Sequence, residues 1–581
     1  MCSGKNASHN PGRGPRLHCR TLQELALSYI DDASEWLILP YDPTRSDDAK
    51  RFSYGEVLAR ARSVAAVLSR DLEPDSRVAL VLENGVDFCV ALLGVFLSAN
   101  IPAPQPPPNM TSDLAAYQRR LRGALGTSRC TAVLTISSIA SIIVPPEGCR
   151  VIAVDQVPES YEGEWTPTSR VEARAPALLQ QTSGTTGASR GVLLSHSAIL
   201  SNLASIGAAL GASSDEINLC WLPLNHDMGL IGTLLYTMAW NMRLVLMSPE
   251  TLVLSPASFL WAMSRYGAIG CAAPNFAYHL CTSTKRVPPS AIEGLDLRSW
   301  RKALNGAEAV REQTLQAFEA RFGPYGFSAR AWVPVYGLAE NSVAVCFSEV
   351  GQGARVDHVD PEELARGRAT AASNDDHART FVSVGRPLPE NEIRVVDDTG
   401  EEIAERDIGN LQVKGPSMMI RYDDARLQPF TQDGWLDTGD LAYMAAGELH
   451  IVGRRKEVIK VAGKGYVAGD IQAEAARLTE LRGGSIAAFG ISSPDTGTEE
   501  LVLVAEVRDD VPPERYPPTC SAVVHGIARA FGLSPAAVVL SRRRSLPRTT
   551  SGKLRSETVK TMFLEGTLTH LFLWTREARR G

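Results

Sequence analysis

A run of hydroxylated residues and glycines at 182–189 is the segment of the sequence best suited to bind an anion. Seven of its eight residues are Ser, Thr or Gly, and apolar stretches at 177–181 and 191–195 predict a strand on each side. Glycines let backbone N–H groups approach a phosphate, and the hydroxyls add further donors. The G-x-x-x-x-G-K-[ST] pattern is absent, which excludes a Walker A loop. A surface turn of small polar residues is the alternative interpretation.

The elements that must position this loop alternate between short β-branched runs and amphipathic stretches, which is typical of βαβ units around parallel sheets. We predict strands at 77–82, 131–136, 150–155, 177–181, 191–195, 243–248, 302–305 and 332–335, and helices at 85–99, 197–210 and 311–322. The proline-rich segment 101–108 predicts a rigid loop. Strands joined by Asp/Gly turns at 381–452 predict a small antiparallel element, and the remainder carries mixed α and β signals.

The composition excludes several classes of protein. The 581 residues are 44% hydrophobic and 21% charged, which is globular, and the net charge of −6 argues against bulk nucleic-acid binding. No apolar stretch reaches the ~20 residues of a spanning helix, so we expect no membrane insertion. The ten cysteines show no C-x-x-C pair and thus no zinc or disulfide pattern. Residues 1–16 form a polar tail without a signal-peptide core, which favours a cytoplasmic protein.

Charge is unevenly distributed along the chain. From residue 456 onward there are 18 Lys and Arg against 14 Asp and Glu, although the whole chain is acidic. A basic segment at the end of an acidic protein is suited to meet phosphates or an acidic partner. A solvated basic surface is the alternative.

The run 182–191 resembles the phosphate loop of the adenylate-forming superfamily, which includes acyl-CoA synthetases, luciferases and adenylation domains of nonribosomal peptide synthetases. Other segments resemble motifs of that superfamily in the same order: WLPLNHDMGLIG (221–232), APNFAYHLC (273–281), NGAEAV (305–310), VYGLAEN (335–341), GWLDTGD (434–440), GRRKEVIKVAG (453–463) and LPRTTSGKLR (546–555). Within the superfamily, PLNHDMGL, PNFAY, GLAEN and SVGRPLP are most similar to fatty acyl-AMP ligases.

The resemblance implies an α/β adenylate-forming fold. A large N-terminal ATP- and acid-binding domain of two βαβ-type subdomains and a small β-barrel would span 17–455, followed by a small mobile α+β lid at 456–581, with Lys456 at the hinge. Residues 341–380 look like an insertion of 40 residues that contains a helix-like PEELARG. In fatty acyl-AMP ligases an insertion here is thought to hinder the domain movement that lets coenzyme A react. A variable surface loop is the alternative.

The reaction implied by the resemblance is attack of a carboxylate on the α-phosphate of ATP, giving acyl adenylate and pyrophosphate. Because two anions must meet, the site has to supply positive charge. Lys553 matches the catalytic lysine of the family, and Glu340 with Thr185 matches the group that holds Mg²⁺. Asp440 matches the acceptor of the ribose hydroxyls and Arg454 assists it. The other residues implied to bind ATP or AMP are Thr182, Ser183, Gly184, Thr186, Gly187, Asn305, Gly306, Ala307, Tyr336 and Gly337.

The resemblance places His226 between the adenylate and the acyl pocket, as a second catalytic residue. A core or capping histidine is the alternative. Asn225, Gly229 and Phe276 are expected in the acyl pocket. Since Asn225 stands where an aromatic residue is expected, the pocket would be roomier and more polar, which favours a bulky or functionalised acid over a plain linear fatty acid. Arg190 follows Ser189 where the family usually has Pro-Lys, so a positive charge is kept with different geometry.

Three functions follow from these expectations. The first is ATP-dependent activation of a carboxylic acid, with the acyl group passed to a phosphopantetheine thiol on a separate carrier protein or to a partner acyltransferase or ligase. The acceptor is expected outside this chain, because only 28 residues follow Lys553. The second is a complete acyl-CoA ligase that uses CoA itself. The third is a non-catalytic protein that binds nucleotide or acyl adenylate, against which the joint presence of Lys553, Glu340 and Asp440 argues.

Overall fold

A computed structural model describes residues 14–108, 114–159, 167, 171–182, 190–374, 378–424, 426–461, 464–493, 498–548 and 554–576. Through residue 374 the elements are α1 (Leu22–Leu27), β1 (Glu35–Pro40), β2 (Ala49–Ser53), α2 (Tyr54–Asp71), β3 (Arg77–Val81), α3 (Val86–Leu97), β4 (Ile101–Gln105), α4 (Leu114–Thr127), β5 (Ala132–Thr135), α5 (Ser137–Ala140), β6 (Arg150–Ala153), β7 (Pro176–Thr182), β8 (Arg190–Ser195), α6 (His196–Leu210), β9 (Ile217–Cys220), α7 (Asp227–Gly229), α8 (Tyr236–Ala239), β10 (Arg243–Leu246), α9 (Pro249–Leu254), α10 (Pro256–Arg265), β11 (Gly270–Ala273), α11 (Asn275–Thr282), β12 (Lys302–Asn305), α12 (Glu312–Phe322), β13 (Trp332–Gly337), β14 (Ala344–Phe347), β15 (Val356–Val359) and α13 (Pro361–Ala365).

From residue 378 they are β16 (Arg379–Val382), β17 (Arg386–Pro387), β18 (Glu392–Val396), β19 (Gly409–Lys414), β20 (Arg421–Tyr422), β21 (Leu436–Ala445), β22 (Glu448–Arg454), β23 (Val458–Val461), β24 (Lys464–Val467), α14 (Ala468–Ala475), β25 (Leu481–Ser493), β26 (Thr498–Val507), α15 (Tyr516–Phe531), β27 (Ala537–Ser541), α16 (Ser556–Leu564) and β28 (Phe572–Thr575).

Two largely parallel sheets form the frame of the first part of the chain. The larger has nine strands in the order β17-β14-β13-β12-β11-β9-β10-β1-β2, and its six strands from β13 to β1 run parallel. The smaller has four parallel strands in the order β4-β3-β5-β6. Helices cover these sheets, so their strands are apolar runs. The predicted α/β fold is confirmed.

The predicted strands and helices between residues 77 and 335 all occur within a few residues of their expected bounds. Strand 302–305 is β12, and helix 85–99 is α3, with ten of its twelve residues buried. Two central strands, β9 and β11, have no predicted counterpart. Each has only four residues, and β11 consists of Gly, Cys and Ala, which carry little β propensity.

The prediction of a loop at 101–108 is wrong for its first five residues, which form β4 at the edge of the smaller sheet. The N–H of Ile101 donates to the carbonyl of Ser76 at 2.9 Å. Along a strand, the backbone N–H groups point alternately toward one neighbouring strand and away from it. Since the N–H of Ile101 points toward β3, the nitrogens of Pro102 and Pro104 point away from it. An edge strand tolerates proline in that position.

The antiparallel element predicted at 381–452 is confirmed as a four-stranded sheet in the order β18-β19-β21-β22. The helix predicted in the 341–380 segment is α13, and β15 pairs with β16 on either side of it. Residues from Ile459 onward build hydrophobic cores of their own around a mixed four-stranded sheet, β25-β26-β27-β28.

The sequence predicts neither disulfides nor membrane-spanning helices, and the structure tests both expectations for the described residues only. All nine cysteines there are buried and free of disulfides. None of the helices in these ranges is both long and apolar enough to cross a bilayer.

His196 is a buried histidine at the start of α6, next to the first helix of the chain. Its Nδ1 accepts the N–H of Leu22 at 3.1 Å, and its ring meets that of Phe96 edge-on. Burial lowers the pKa of His196 to about 4. The neutral ring is therefore the form that the folded protein requires.

We expect stability to fall as the pH drops from 6.5, the ordinary pKa of histidine, to about 4. In this window the unfolded chain takes up a proton that the folded chain excludes. The free energy of unfolding therefore falls by about 3 kcal/mol over the whole window. His196→Asn keeps an acceptor for Leu22 and should remove this part of the dependence. Thermal unfolding midpoints measured between pH 4 and 7 would contradict the assignment if both proteins gave the same slope.

Candidate active site

A cavity of about 430 Å³ lies where three parallel strands of the nine-stranded sheet end near the antiparallel sheet. Ala272 of β11, Leu304 of β12 and Val335 of β13 line it from the first sheet, and residues of β21 and β22 line it from the second. Residues 554, 556 and 557 of the C-terminal segment complete the lining. The carboxyl ends of parallel strands are where open α/β sheets bind ligands.

Nine of the predicted site residues line this cavity, although they are far apart in the sequence. They are Thr182, His226, Ala307, Tyr336, Gly337, Glu340, Asp440, Arg454 and Lys456. The cavity therefore joins the end of β7, the start of α7, the end of β13 and the β21–β22 pair into one site.

Asp440 is the buried charge of this cavity, with 5% of the residue exposed. The hydroxyl of Tyr336 donates to its Oδ2 at 2.5 Å, and Arg454 Nε lies 2.9 Å from its Oδ1. Arg454 also donates to the carbonyl of Thr438 at 3.0 Å. Burial raises the pKa of Asp440, while Arg454 and Tyr336 act in the opposite direction. The carboxylate is thus held in one orientation by groups from two sheets.

Glu340 is another carboxylate of the cavity, in the short 3₁₀ helix that follows β13. Its Oε1 accepts the hydroxyl of Tyr422 at 2.7 Å. Burial and the charge of Glu340 raise the pKa of Tyr422, so the phenol stays protonated as a donor. The guanidinium of Arg190 lies 5.6 Å from the Tyr422 ring centroid. Sequence reasoning missed Tyr422, because no motif spacing connects it with Glu340.

The backbone around Glu340 is tightly constrained. A Cβ added to Gly337 would lie 1.8 Å from the carbonyl oxygen of Val343, so only glycine fits. Ser342 has a φ of +61°, and its hydroxyl donates to the carbonyl of Ser417 at 2.9 Å. Because of this turn, Glu340 and Val343 both line the cavity although they are only three residues apart in the sequence.

His226 lines the cavity and also occupies the N-cap position of α7. Its Nδ1 lies 2.6 Å from Oδ1 of Asp227, which accepts the N–H of Met228 at 2.7 Å. The chain then continues as a π-helix at Leu230–Leu235, a rare element that frequently occurs at functional sites. His226 therefore both caps α7 and lines the cavity.

One wall of the cavity is apolar, which the sequence motifs did not reveal. A Cβ added to Gly232 would lie 3.5 Å from a methyl group of Val343, so any larger side chain there would fill the space between them. The wall residues are Ile206, Met228, Gly232, Val343, Ala344 and Phe347. An apolar group can therefore lie beside the charged residues of the same cavity.

Two of the residues expected at the nucleotide support the cavity without lining it. The side chain of Asn305 faces Asn275, with Nδ2 at 3.5 Å from Oδ1, and its own Oδ1 is buried without a hydrogen-bond partner among the described residues. A Cβ on Gly306 would lie 2.7 Å from the Val335 carbonyl oxygen. Glycine at 306 therefore lets the strand ends lie side by side, next to Ala307 with its φ of +62°.

The three residues expected in the acyl pocket also lie outside the cavity lining. The carbonyl of Asn225 accepts a hydrogen bond from Nε2 of Gln180 at 2.9 Å. A Cβ on Gly229 would lie 2.5 Å from the Pro223 carbonyl oxygen. Phe276 is 42% exposed, and its ring packs edge-on against Trp221.

The remaining expected residues fall outside the described part of the chain. These are Ser183, Gly184, Thr185, Thr186 and Gly187 of the anion-binding run, and Lys553. Their described neighbours Thr182 and Leu554 both line the cavity.

Comparison with known proteins agrees with this geometry. The profile of the family described as "AMP-binding enzyme" matches residues 35–423, more than half of the chain. The medium-chain-fatty-acid–[acyl-carrier-protein] ligase of Moorena producens is 31% identical over 550 residues, covering 90% of this chain and 91% of that protein. The 4-hydroxyphenylalkanoate adenylyltransferase of Mycobacterium tuberculosis is 32% identical over 567 residues, covering 92% and 89%.

Solved structures give the same result. A structure from work on fatty acyl-adenylate ligases of E. coli and L. pneumophila superposes with a TM-score of 0.87 at 28% identity, covering 95% of this chain and 99% of that one. The L. pneumophila fatty acyl-adenylate ligase in complex with acyl adenylate and pyrophosphate superposes with a TM-score of 0.72 at 27% identity, covering 96% and 98%. Profile, relatives and fold thus agree, and the chain belongs to the family of AMP-binding, adenylate-forming enzymes.

Proposed function

We propose that this enzyme activates a carboxylic acid with ATP to give an acyl adenylate and pyrophosphate. A carboxylate oxygen of the acid forms a bond to the α-phosphorus while the bond to the pyrophosphate oxygen breaks. The observation that carries the proposal is the cavity itself, in which two carboxylates oriented by tyrosine hydroxyls, four cationic side chains and an apolar wall meet. The cations are Arg190, Arg454, Arg455 and Lys456. They can reduce the repulsion between the acid and the polyphosphate.

The nucleoside half of ATP would bind at the end of β13 and at β21–β22. Asp440, an acceptor-only group when ionised, would accept the ribose hydroxyls, with Arg454 beside it. The loop from Asn305 to Ala307 and the ring of Tyr336 would flank the adenine. Asn305 and Gly306 would act here by shaping the backbone, since neither residue lines the cavity.

The phosphates would lie along the 182–187 run. Thr182 begins that run and Arg190 follows it three residues beyond its end, and both line the cavity, which supports this placement. The residues present fit a magnesium ion: Glu340 offers a carboxylate oriented by Tyr422, and Mg²⁺ is commonly held by one or two carboxylates and substrate phosphates. Glu340 and Thr185 would hold the ion, which when bound neutralises charge on the phosphate oxygens.

The acid would lie with its carboxylate near His226 and its acyl group along the apolar wall. Lys553 would bridge the carboxylate and the α-phosphate as charge moves between them. Leu554, which lines the cavity, supports that position. We further propose that 17–455 and 456–581 act as body and lid, with Lys456 as the hinge in the short 3₁₀ helix Arg455–Glu457 that joins β22 to β23.

For the acceptor we propose a phosphopantetheine thiol on a separate carrier protein. The relative from Moorena producens carries an acyl-carrier-protein ligase name, and the chain covers nine-tenths of that protein. Direct formation of acyl-CoA is the second candidate, favoured by the likeness of a Caulobacter vibrioides relative called a putative acyl-CoA synthetase at 31% identity.

The test is to incubate the enzyme with ATP, Mg²⁺ and linear, branched and ring-bearing acids, with and without CoA, and to follow acyl-AMP and acyl-CoA by mass spectrometry. We expect acyl-AMP with little acyl-CoA. Lys553→Ala should lower acyl-AMP formation at least ~100-fold, because it removes a charge that stabilises the transition state. Lys560→Ala, a lysine on α16, is the matched control and should retain activity.

Each other outcome has a definite meaning. Efficient acyl-CoA formation would replace the carrier-protein acceptor by CoA. Nucleotide binding without any acyl-AMP would support the non-catalytic alternative. Linear acids that outcompete every bulky acid would overturn the preference expected from Asn225, and full activity of Lys553→Ala would remove its assigned role.

The 341–380 segment is joined to the C-terminal segment by specific contacts. Arg379 lies 2.7 Å from Oδ2 of Asp470, and its guanidinium lies 4.9 Å from the ring centroid of Phe531. Arg311 approaches the other oxygen of Asp470 at 3.6 Å. Val467 packs against the small core that the insertion shares with β21 and β22. We propose that these contacts restrain the movement that CoA would require.

Removing the link should therefore increase acyl-CoA formation. We expect Arg379→Ala to raise the acyl-CoA to acyl-AMP ratio by about tenfold, the equivalent of one lost hydrogen bond between charged groups. Arg368→Ala is the control, because Arg368 lies in the same insertion and faces Asp407 outside the C-terminal segment. An unchanged ratio in both Arg379→Ala and Asp470→Ala would show that these contacts do not restrain the reaction.

A further inference from the structure

The hydroxyl of Tyr336 has a contact that an adenine-flanking ring does not need. It donates to Oδ2 of Asp440 at 2.5 Å, across from β13 to β21. Burial raises the pKa of Tyr336 well above its ordinary value, and the charge of Asp440 raises it further. The phenol is therefore protonated at all working pH values, and it is a donor to the carboxylate.

The carboxylate keeps capacity for a ligand after this contact. Two carboxylate oxygens offer about four acceptor positions. Tyr336 takes one on Oδ2 and Arg454 takes one on Oδ1, which leaves one on each oxygen. These two remaining acceptor positions, on one carboxylate of fixed orientation, can accept hydrogen bonds from the two adjacent hydroxyls of a vicinal diol.

We infer that Tyr336 is a positioning residue that holds Asp440 in the orientation and the ionised form needed to accept both ribose hydroxyls. The inference rests on the proposed function, since it takes the ribose of ATP as the ligand of Asp440. The hydroxyl of Tyr336 and its ring then have separate tasks.

The charged groups around Asp440 explain why a second partner is required. Arg454 from β22 favours the ionised form, but Asp437 from the same strand β21 opposes it. Arg455 pairs with Asp437 at 2.7 Å and so takes up part of that charge. Burial is the largest influence and favours the neutral acid. A protonated Asp440 would turn one acceptor into a donor and lose the match to the diol.

The same sheet contains a matched control. The hydroxyl of Tyr443 donates to Oδ2 of Asp357 at 2.8 Å, and Arg406 binds the same carboxylate at 3.2 Å. This Tyr–Asp–Arg group lies outside the cavity lining. Loss of the Tyr443 hydroxyl therefore removes an equivalent bond without touching the nucleotide.

The test compares Tyr336→Phe with Tyr443→Phe by calorimetric binding of AMP and of 2′,3′-dideoxy-AMP between pH 4.5 and 8. We expect Tyr336→Phe to bind AMP about tenfold more weakly, while dideoxy-AMP binding changes little, so that the preference for the diol shrinks. Because loss of the hydroxyl raises the pKa of Asp440 further, AMP binding should also begin to fall at a higher pH as the solution is acidified. Tyr443→Phe should match the wild type in both respects.

An Asp440→Asn background provides the second measurement. There Tyr336→Phe should cause no further loss of AMP binding, since the carboxylate it serves is gone. The inference would be overturned if Tyr336→Phe kept both the preference for AMP over dideoxy-AMP and the pH at which AMP binding falls on acidification. It would also be overturned if Tyr336→Phe weakened AMP binding a further tenfold in the Asp440→Asn background. Either result would leave the proposed reaction intact. A wild-type enzyme that binds neither nucleotide would overturn the proposed function and this inference together.

Discussion

One buried carboxylate determines how the two halves of the site are joined. Asp440 is almost wholly removed from water, and a buried charge without partners would cost several kcal/mol. Its partners come from different sheets, Tyr336 from the parallel one and Arg454 from the antiparallel one. Satisfying the charge thus fixes the relative position of the two sheets at one point. The cavity lies at that point, so the condition for stability is also the condition for a preorganised site.

The distribution of charge inside the cavity follows from the chemistry it must accommodate. A carboxylic acid and a polyphosphate repel each other, and the chain as a whole is acidic, with a net charge of −6. Positive charge reaches the cavity from two separate parts of the sequence, from Arg190 and from the adjacent residues Arg454, Arg455 and Lys456. The carboxylates of Glu340 and Asp440 are each oriented by a protonated tyrosine, so their negative charge is confined to the positions where a metal ion and a diol would lie. Apolar residues such as Val343 keep water from the remaining wall.

The sequence predicted the α/β frame and nine of the residues that line the cavity, because both depend on local patterns. Apolar runs with β-branched residues indicate buried strands, and the motifs identify Glu340, Asp440 and Arg454 as site residues. Contacts between distant segments left no such pattern. Tyr422 reaches Glu340 from a two-residue strand, and the apolar wall is assembled from α6, the π-helix and β14. Proline at 102 and 104 misled the prediction of β4, because local proline content does not reveal that a strand lies at an edge.

Asp470 repeats the arrangement of Asp440 under different solvation. It too is approached by cationic groups from two other parts of the chain, Arg379 in the 341–380 segment and Arg311 before α12. The difference is the access of the carboxylate to water: the Asp470 side chain is 13% exposed, and the Asp440 side chain is 7% exposed. Water can replace a lost partner at such a site, so separation costs less than it would at Asp440. The more deeply buried carboxylate is suited to a permanent joint, and the more solvated one is suited to a contact that would open if the proposed lid moves.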